Sequence, residues 1–123
     1  DTAISTYGGT IYLRPMKPDP YIEKLKVSSS LPCIIGYTER EARTGELLRR
    51  VRELRKAHPA VVDTILSTID TIVEEAKIAL AKGDFVSLGV LMNMNHGQLE
   101  SLGVSSKKLN DMVYSARSAG AIG

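Results

Sequence analysis

Tryptophan is absent from this chain of 123 residues, and phenylalanine occurs only once. With five tyrosines besides, the chain has too few aromatic side chains for the stacking surface on which single-stranded nucleic acids bind. Sixteen basic and fourteen acidic residues give a net charge of +2, which does not indicate a polyanionic partner. No apolar run approaches the roughly 20 residues that a membrane span needs. We therefore expect neither a nucleic-acid nor a membrane partner.

Cysteine is almost as scarce, because Cys33 is the only one and cannot form a disulfide within the chain. This favours a reducing, cytoplasmic location. Cys33 lies in the apolar stretch LPCIIGY without a basic neighbour, which predicts a buried, unreactive thiol. The two histidines, His58 and His96, lack cysteine and carboxylate companions at ligand spacing, so we predict no metal site. His96 is interpreted as a structural or pocket-lining residue.

The first forty residues favour β-structure interrupted by turns. Gly8 and Gly9 predict a tight turn, after which Ile11 and Leu13 alternate with Tyr12 and Arg14. Three of the five prolines follow within six residues and predict a surface loop. A second alternation and a short apolar run come next. The predicted strands thus cover residues 10–14, 22–27 and 32–37, the last as a buried strand.

From about Glu41 the apolar period becomes helical. Local signals divide this part into four helices: Pro59 separates the first two, Gly83 and Asp84 lie between the second and third, and Gly103 ends the third, with Ser105 or Ser106 starting the fourth. The basic run RRVRELRK is opposite the first apolar stripe, which indicates a solvated face. Strands followed by helices predict an α+β fold.

No phosphate-binding or nucleophile-elbow motif occurs in the chain. Asp1 is not preceded by methionine, and the tail SAGAIG stops just after a predicted helix. We interpret the chain as a piece of a longer protein. By itself it predicts a soluble α+β segment without a self-sufficient active site.

Two stretches resemble a known family. DTAISTYGG is similar to the segment of mevalonate kinases in which Asp leads into Ala-x-Ser-Thr-x-Gly-Gly, and LMNMNHGQLESLGVSSKKLNDMVYSARSAGAIG resembles their helical region before a Gly-rich loop. The segment between them, IIGYTEREARTGELLRRVRELRKAHPAVVDTILSTIDTI, agrees in layout. The resemblance spans nearly all 123 residues and identifies the chain as similar to mevalonate kinases of the GHMP kinase superfamily.

The resemblance implies a division of the fold. Residues 1–26 would finish the amino-terminal lobe, and residues 27–123 would form an incomplete carboxy-terminal lobe, with helices on an antiparallel, ferredoxin-like sheet. It also implies transfer of the γ-phosphoryl group of Mg-ATP to the 5-hydroxyl of mevalonate, in isoprenoid synthesis. The partners implied are mevalonate, ATP with Mg²⁺ and the rest of the same protein. A homodimer is left open.

The site residues come from the same resemblance. Asp1 falls on the family's catalytic aspartate, which pairs with a lysine of the other lobe. Thr44 matches the threonine of an Arg-x-Thr pattern implicated in binding mevalonate, but Ala42 replaces the arginine and Arg43 is displaced by one position. Thr44 is equally well interpreted as the N-cap of a helix starting at Gly45. Whichever holds for Thr44, no nucleotide- or metal-binding residue is expected within the chain.

The family's Gly-Leu-Gly-Ser-Ser loop, catalytic lysine and Mg-binding glutamate would precede Asp1, and its closing Gly-rich loop would come after Gly123. We therefore expect these residues alone to be inactive. Two other functions stay open. One is another small-molecule kinase of the superfamily, for phosphomevalonate or homoserine, since fold alone does not choose the substrate. The other is a non-catalytic helical binding module.

Overall fold

A computed structural model describes residues 2–27, 30–39 and 42–123 of the chain. The predicted α+β class is confirmed. A short helix and a two-stranded antiparallel sheet precede four longer helices. In chain order the elements are α1 (Thr2–Tyr7), β1 (Thr10–Arg14), β2 (Tyr21–Leu25), α2 (Thr44–Ala57), α3 (Pro59–Lys82), α4 (Phe85–Ser101) and α5 (Lys107–Ser118).

The predicted turn at Gly8 and Gly9 is confirmed. Both glycines have positive φ angles, 64° and 69°, which a residue with a side chain adopts only at a cost. The amide of Gly8 donates to the carbonyl oxygen of Ile4 at 2.8 Å and ends α1. Directly after the turn, β1 pairs with β2 in a register that places Tyr12 opposite Glu23. The glycine pair thus turns the chain from α1 into the hairpin.

The prediction of a buried strand over residues 32–37 is wrong. The structure shows no strand in the described segment 30–39, where the side chains of Ile34 and Tyr37 are 100% and 86% exposed. A strand needs a neighbour for its backbone hydrogen bonds, and the sheet in the described part of the chain contains only β1 and β2. The expected burial of Cys33 is also wrong, because its side chain is exposed with the rest of this segment.

The N-cap interpretation of Thr44 is wrong as well. Thr44 is the first helical residue of α2, and the N-cap is Arg43, with extended backbone angles (φ −76°, ψ 144°). The carbonyl oxygen of Arg43 accepts from the amides of Glu46 and Leu47, at 2.9 and 3.2 Å. An arginine side chain has no acceptor for the free amides of the first turn, and no side-chain cap is formed.

The other helix ends agree with their local signals. Pro59 begins α3 as its first residue, and Gly83 ends it in the left-handed conformation (φ 71°). Asp84 caps α4, accepting from the amide of Ser87 at 3.0 Å. The hydroxyl of Ser87 also donates to this carboxylate. The backbone and side-chain hydrogen bonds from Ser87 together lower the pKa of Asp84. Ser106 rather than Ser105 caps α5.

The long helix α3 is the centre of the packing, with α2 on one part of its surface and α4 on another. Its most buried side chain is Val62, which is 1% exposed. The remaining buried apolar side chains come from β1, α3 and the end of α4, and they are Tyr12, Ile72, Ala79 and Leu102. Within the described ranges, every helix is too short or too polar to cross a bilayer.

Candidate functional site

In the sequence, one predicted site residue precedes α1 and the other is the first residue of α2. Asp1 lies outside the described residues. The helix directly after it, α1, is described and packs against β1. Thr44 lies at the start of α2, and its side chain is exposed. Because Asp1 is outside the described residues, the predicted roles of both positions stay predictions.

The hydroxyl of Thr44 does not cap α2, because the N-cap position belongs to Arg43. At the first position of α2 the threonine is near backbone amides that have no acceptor within the helix. Its predecessor Arg43 is exposed and carries a positive charge. An arginine and a hydroxyl at a helix start are groups that bind a carboxylate.

A polar cluster that the sequence analysis missed joins the hairpin to α3. We define the hairpin–α3 cluster as the six side chains of Tyr12, Arg14, Glu23, Asp70, Glu74 and Lys77. The hydroxyl of Tyr12 donates to Oε1 of Glu74 at 2.5 Å, and Arg14 forms ion pairs with Asp70 and Glu74. On the neighbouring strand, Glu23 accepts from Nζ of Lys77 at 2.5 Å.

The geometry of the cluster results from two periodicities. Tyr12 and Arg14 are two residues apart on β1, so they share one face of the sheet, and Glu23 shares it because it pairs with Tyr12. Asp70, Glu74 and Lys77 recur at four- and three-residue spacing and so share one face of α3. The two faces are complementary in charge. The signal was present in the sequence, but nothing local shows that these faces meet.

Tyr12 is the centre of the cluster, and it is only 7% exposed. The ammonium of Lys77 lies 4.7 Å from the centroid of its ring, within the range of a cation–π interaction. The ring of Tyr21 meets it edge-on, with 6.1 Å between centroids. The hydrogen bond to Glu74 raises the pKa of Tyr12, and burial acts in the same direction. The phenol therefore stays protonated and acts as a donor.

The Lys77–Glu23 pair stabilises the charged form of both partners. The hydrogen bond from Lys77 lowers the pKa of Glu23, and the same bond raises the pKa of Lys77. All the carboxylates of the cluster have partners, so it offers no free acid or base. Its contacts attach the hairpin, and with it the segment after Asp1, to the helical part of the chain.

This pair predicts a pH dependence. Because the pKa of Glu23 is lowered in the folded protein from its ordinary value of 4.5, its stabilisation is present above pH 4.5 and is lost as the pH falls through the folded pKa. Glu23→Gln should therefore increase hydrogen exchange in the hairpin at pH 7 and make little difference below the folded pKa. Glu75→Gln, which changes an α3 carboxylate outside the cluster, is the control. A difference from wild type that persists unchanged in acid would contradict the assignment.

His96 lies on α4 facing α5. Its ring meets that of Tyr114 edge-on, with 6.4 Å between centroids. Its Nε2 atom is buried without a hydrogen-bond partner among the described residues, as is Oδ1 of Asn95. The ring contact with Tyr114 agrees with a packing role for the imidazole. In residues 2–27, 30–39 and 42–123, no three histidine, cysteine or carboxylate side chains are grouped as metal ligands would be.

Comparisons with known proteins bear on the whole chain. It is 42% identical over 130 residues of alignment to mevalonate kinase of Thermococcus gammatolerans and equally so to mevalonate kinase of Pyrococcus horikoshii. Each alignment covers 100% of this chain and 37% of the relative. The chain therefore spans little more than a third of the length of the curated relatives it matches. A scan against protein-family models finds no match.

The fold is similar to that of a solved structure. The crystal structure of L. major mevalonate kinase in complex with R-mevalonate superposes with a TM-score of 0.81 at 25% sequence identity. The superposition covers 98% of this chain and 37% of that one. Sequence and fold thus agree on the same family, and the resemblance stated from the sequence is confirmed.

Proposed function

We propose, from its similarity to mevalonate kinases over the whole of its 123 residues, that this chain is a section of a mevalonate kinase. The full-length protein transfers the γ-phosphoryl group of ATP to the 5-hydroxyl of mevalonate. The observation that carries the proposal is the joint match of sequence and fold, each over at least 98% of the chain. We place the reaction in the cytoplasm and in isoprenoid synthesis.

In the proposed reaction Asp1 is the catalytic carboxylate. It orients the 5-hydroxyl and accepts its proton as the oxygen forms a bond to the γ-phosphorus, while the bond from that phosphorus to the bridging oxygen of ADP breaks. The Gly8–Gly9 turn and the contact of α1 with β1 support this role, because they set the course of the chain after Asp1. Precise alignment is most of what a protein contributes to phosphoryl transfer.

Mg²⁺ is expected to accompany ATP, but the described residues do not fit a magnesium site. Mg²⁺ needs oxygen ligands that converge, and no such group of carboxylates occurs among them. The acids that do lie close together, in the hairpin–α3 cluster, are occupied by Arg14, Lys77 and Tyr12. From the resemblance to mevalonate kinases, we propose that metal and nucleotide are bound by the rest of the protein. The same resemblance carries the proposed lobe boundary near residue 26.

Thr44 is proposed to bind mevalonate through its hydroxyl, which α2 does not use as a cap. In the full-length protein, Thr44→Val should raise KM for mevalonate about fivefold, because a hydrogen bond contributes about 1 kcal/mol. The change should leave kcat and KM for ATP close to wild type. Thr44→Ser keeps the hydroxyl and should bind mevalonate normally. An unchanged KM in Thr44→Val would remove Thr44 from the substrate site.

The substrate itself is tested by a coupled assay of ADP release on the full-length protein with mevalonate, phosphomevalonate and homoserine. We expect mevalonate to have by far the highest kcat/KM. A higher value for either of the other alcohols would reassign the substrate within the superfamily. Absence of turnover with all three would favour the non-catalytic binding module.

A further inference from the structure

The segment after α5 crosses α4 at an unusually close distance. Gly120, with a φ of 101°, turns the chain away from the end of α5, and the amide of Ala121 donates back to the carbonyl oxygen of Ala116 at 3.0 Å. Ile122 and Gly123 then lie against the second turn of α4, at Gly89. We call the contact of these two residues with α4 the α4 crossing.

Backbone meets backbone at this crossing. A Cβ atom on Gly89 would lie 2.5 Å from the carbonyl oxygen of Ile122 and 2.6 Å from its carbon, distances that real Cβ atoms essentially never show. A Cβ atom on Gly123 would likewise collide with the backbone of Gly89. Because the atoms in the way belong to the main chain, no side-chain rotation relieves the collision. Both positions therefore require glycine.

A hydrogen bond fixes the same carbonyl group. Nδ2 of Asn93, one turn after Gly89 on α4, donates to the carbonyl oxygen of Ile122 at 2.9 Å. Gly89 thus permits the approach, and Asn93 sets its position along the helix. A glycine inside a helix costs up to about 1 kcal/mol relative to alanine, and this contact gives a steric reason for glycine at position 89.

The second glycine of α4 shows that, within this helix, the steric requirement for glycine is confined to position 89. Gly97 lies two turns further along the same helix, and a Cβ atom added there would have nothing within 4 Å. Both positions are glycines of the same helix, but the backbone of Ile122 lies against Gly89 and no atom of the described residues lies against Gly97. Gly97→Ala is therefore a matched control for Gly89→Ala.

We propose that Gly89 is a positioning residue for the proposed phosphoryl transfer: together with Asn93 it fixes the course of the segment after α5 across α4. The expected loss of kcat rests on the proposed function. The role of Gly89 in holding residues 121–123 on α4 does not. A side chain at position 89 would have to displace Ile122 by roughly an ångström, and displacements of that size far from the reacting atoms can lower rates by up to about a hundredfold.

The test uses the full-length protein with Gly89→Ala, Gly97→Ala, Asn93→Ala and the double variant Gly89→Ala/Asn93→Ala. In Gly89→Ala we expect exchange of the Ala121 amide, which donates to the carbonyl oxygen of Ala116, to rise about tenfold, while exchange in α3 is unchanged. Its kcat for mevalonate should fall about tenfold with a smaller change in the two KM values. Gly97→Ala should match wild type in exchange and in kcat.

Asn93→Ala adds no atoms and keeps the proposal testable where Gly89→Ala fails to fold. It should raise exchange of the Ala121 amide and lower kcat, as Gly89→Ala does. The double variant should be less impaired than the sum of the single ones, because both act through one segment. Unchanged exchange of the Ala121 amide in Gly89→Ala, or raised exchange with normal kcat, would overturn the proposal. A wild type inactive on mevalonate would refute the proposed function, and exchange alone would then decide whether Gly89 fixes the crossing.

Discussion

Asp1→Asn in the full-length protein should lower turnover with mevalonate by roughly two to four powers of ten. As the proposed base, the carboxylate accepts the proton of the 5-hydroxyl as the new bond to phosphorus forms. Asparagine has nearly the same shape but an amide that does not accept a proton at neutral pH. Folding and ATP binding should therefore stay close to wild type. Steady-state turnover with saturating ATP and mevalonate measures the loss of rate. A thermal unfolding curve measures the stability of the fold.

The competing explanation of Asp1 is a helix cap at the start of α1. Asparagine caps helices about as well as aspartate, so under that explanation Asp1→Asn would keep both its stability and its rate. Asp19→Asn is a suitable control, because it makes the same chemical change in the exposed loop between β1 and β2. Near-normal turnover in Asp1→Asn would remove the main support for the catalytic assignment.

Val62→Ala should give a large loss of stability at a position outside the proposed site. Val62 is 1% exposed, and removal of its two methyl groups costs about 0.8 kcal/mol each in lost burial, with a further cost for the cavity. We expect a total of about 2 kcal/mol, which changes the ratio of folded to unfolded protein about 30-fold. The measurement is urea unfolding of the full-length protein, with the shift read from the midpoint at constant slope.

The preceding residue is the control for this change. Val61 is 62% exposed, so Val61→Ala removes the same atoms from the same helix with little loss of burial. Alanine also has the higher helix propensity, and Val61→Ala should be neutral or slightly stabilising. Equal losses in the two variants would show that Val62 does not lie in the core.

The helical part of the fold could be predicted from the sequence because its signals are local. Asp84 caps α4, Gly83 ends α3 and Pro59 begins it, each through hydrogen bonds or backbone angles within a few residues. The Gly8–Gly9 turn is likewise predicted by a local signal, the two glycines themselves. The family could also be recognised, since a motif is a local run of residue types, and with it came the assignments of Asp1 and Thr44.

Non-local contacts account for what the sequence analysis missed. The face of β1 that meets α3 carries Tyr12, while Leu13 on the other face is 42% exposed, although an apolar alternation favours leucine inside. The acids and the lysine of α3 decide this through hydrogen bonds with that face of the sheet. They lie 54 to 62 residues away in sequence, so no local pattern shows the contact.

The sequence by itself therefore determined the four longer helices, the boundaries at Pro59, Gly83 and Asp84, the hairpin turn and the similarity to mevalonate kinases. Tertiary structure alone decided that residues 32–37 form no strand, since pairing needs a neighbouring strand and the described sheet has two. It also decided which glycine of α4 is irreplaceable. Gly89 and Gly97 are alike in sequence terms, and only the course of Ile122 across the helix makes one of them a steric requirement.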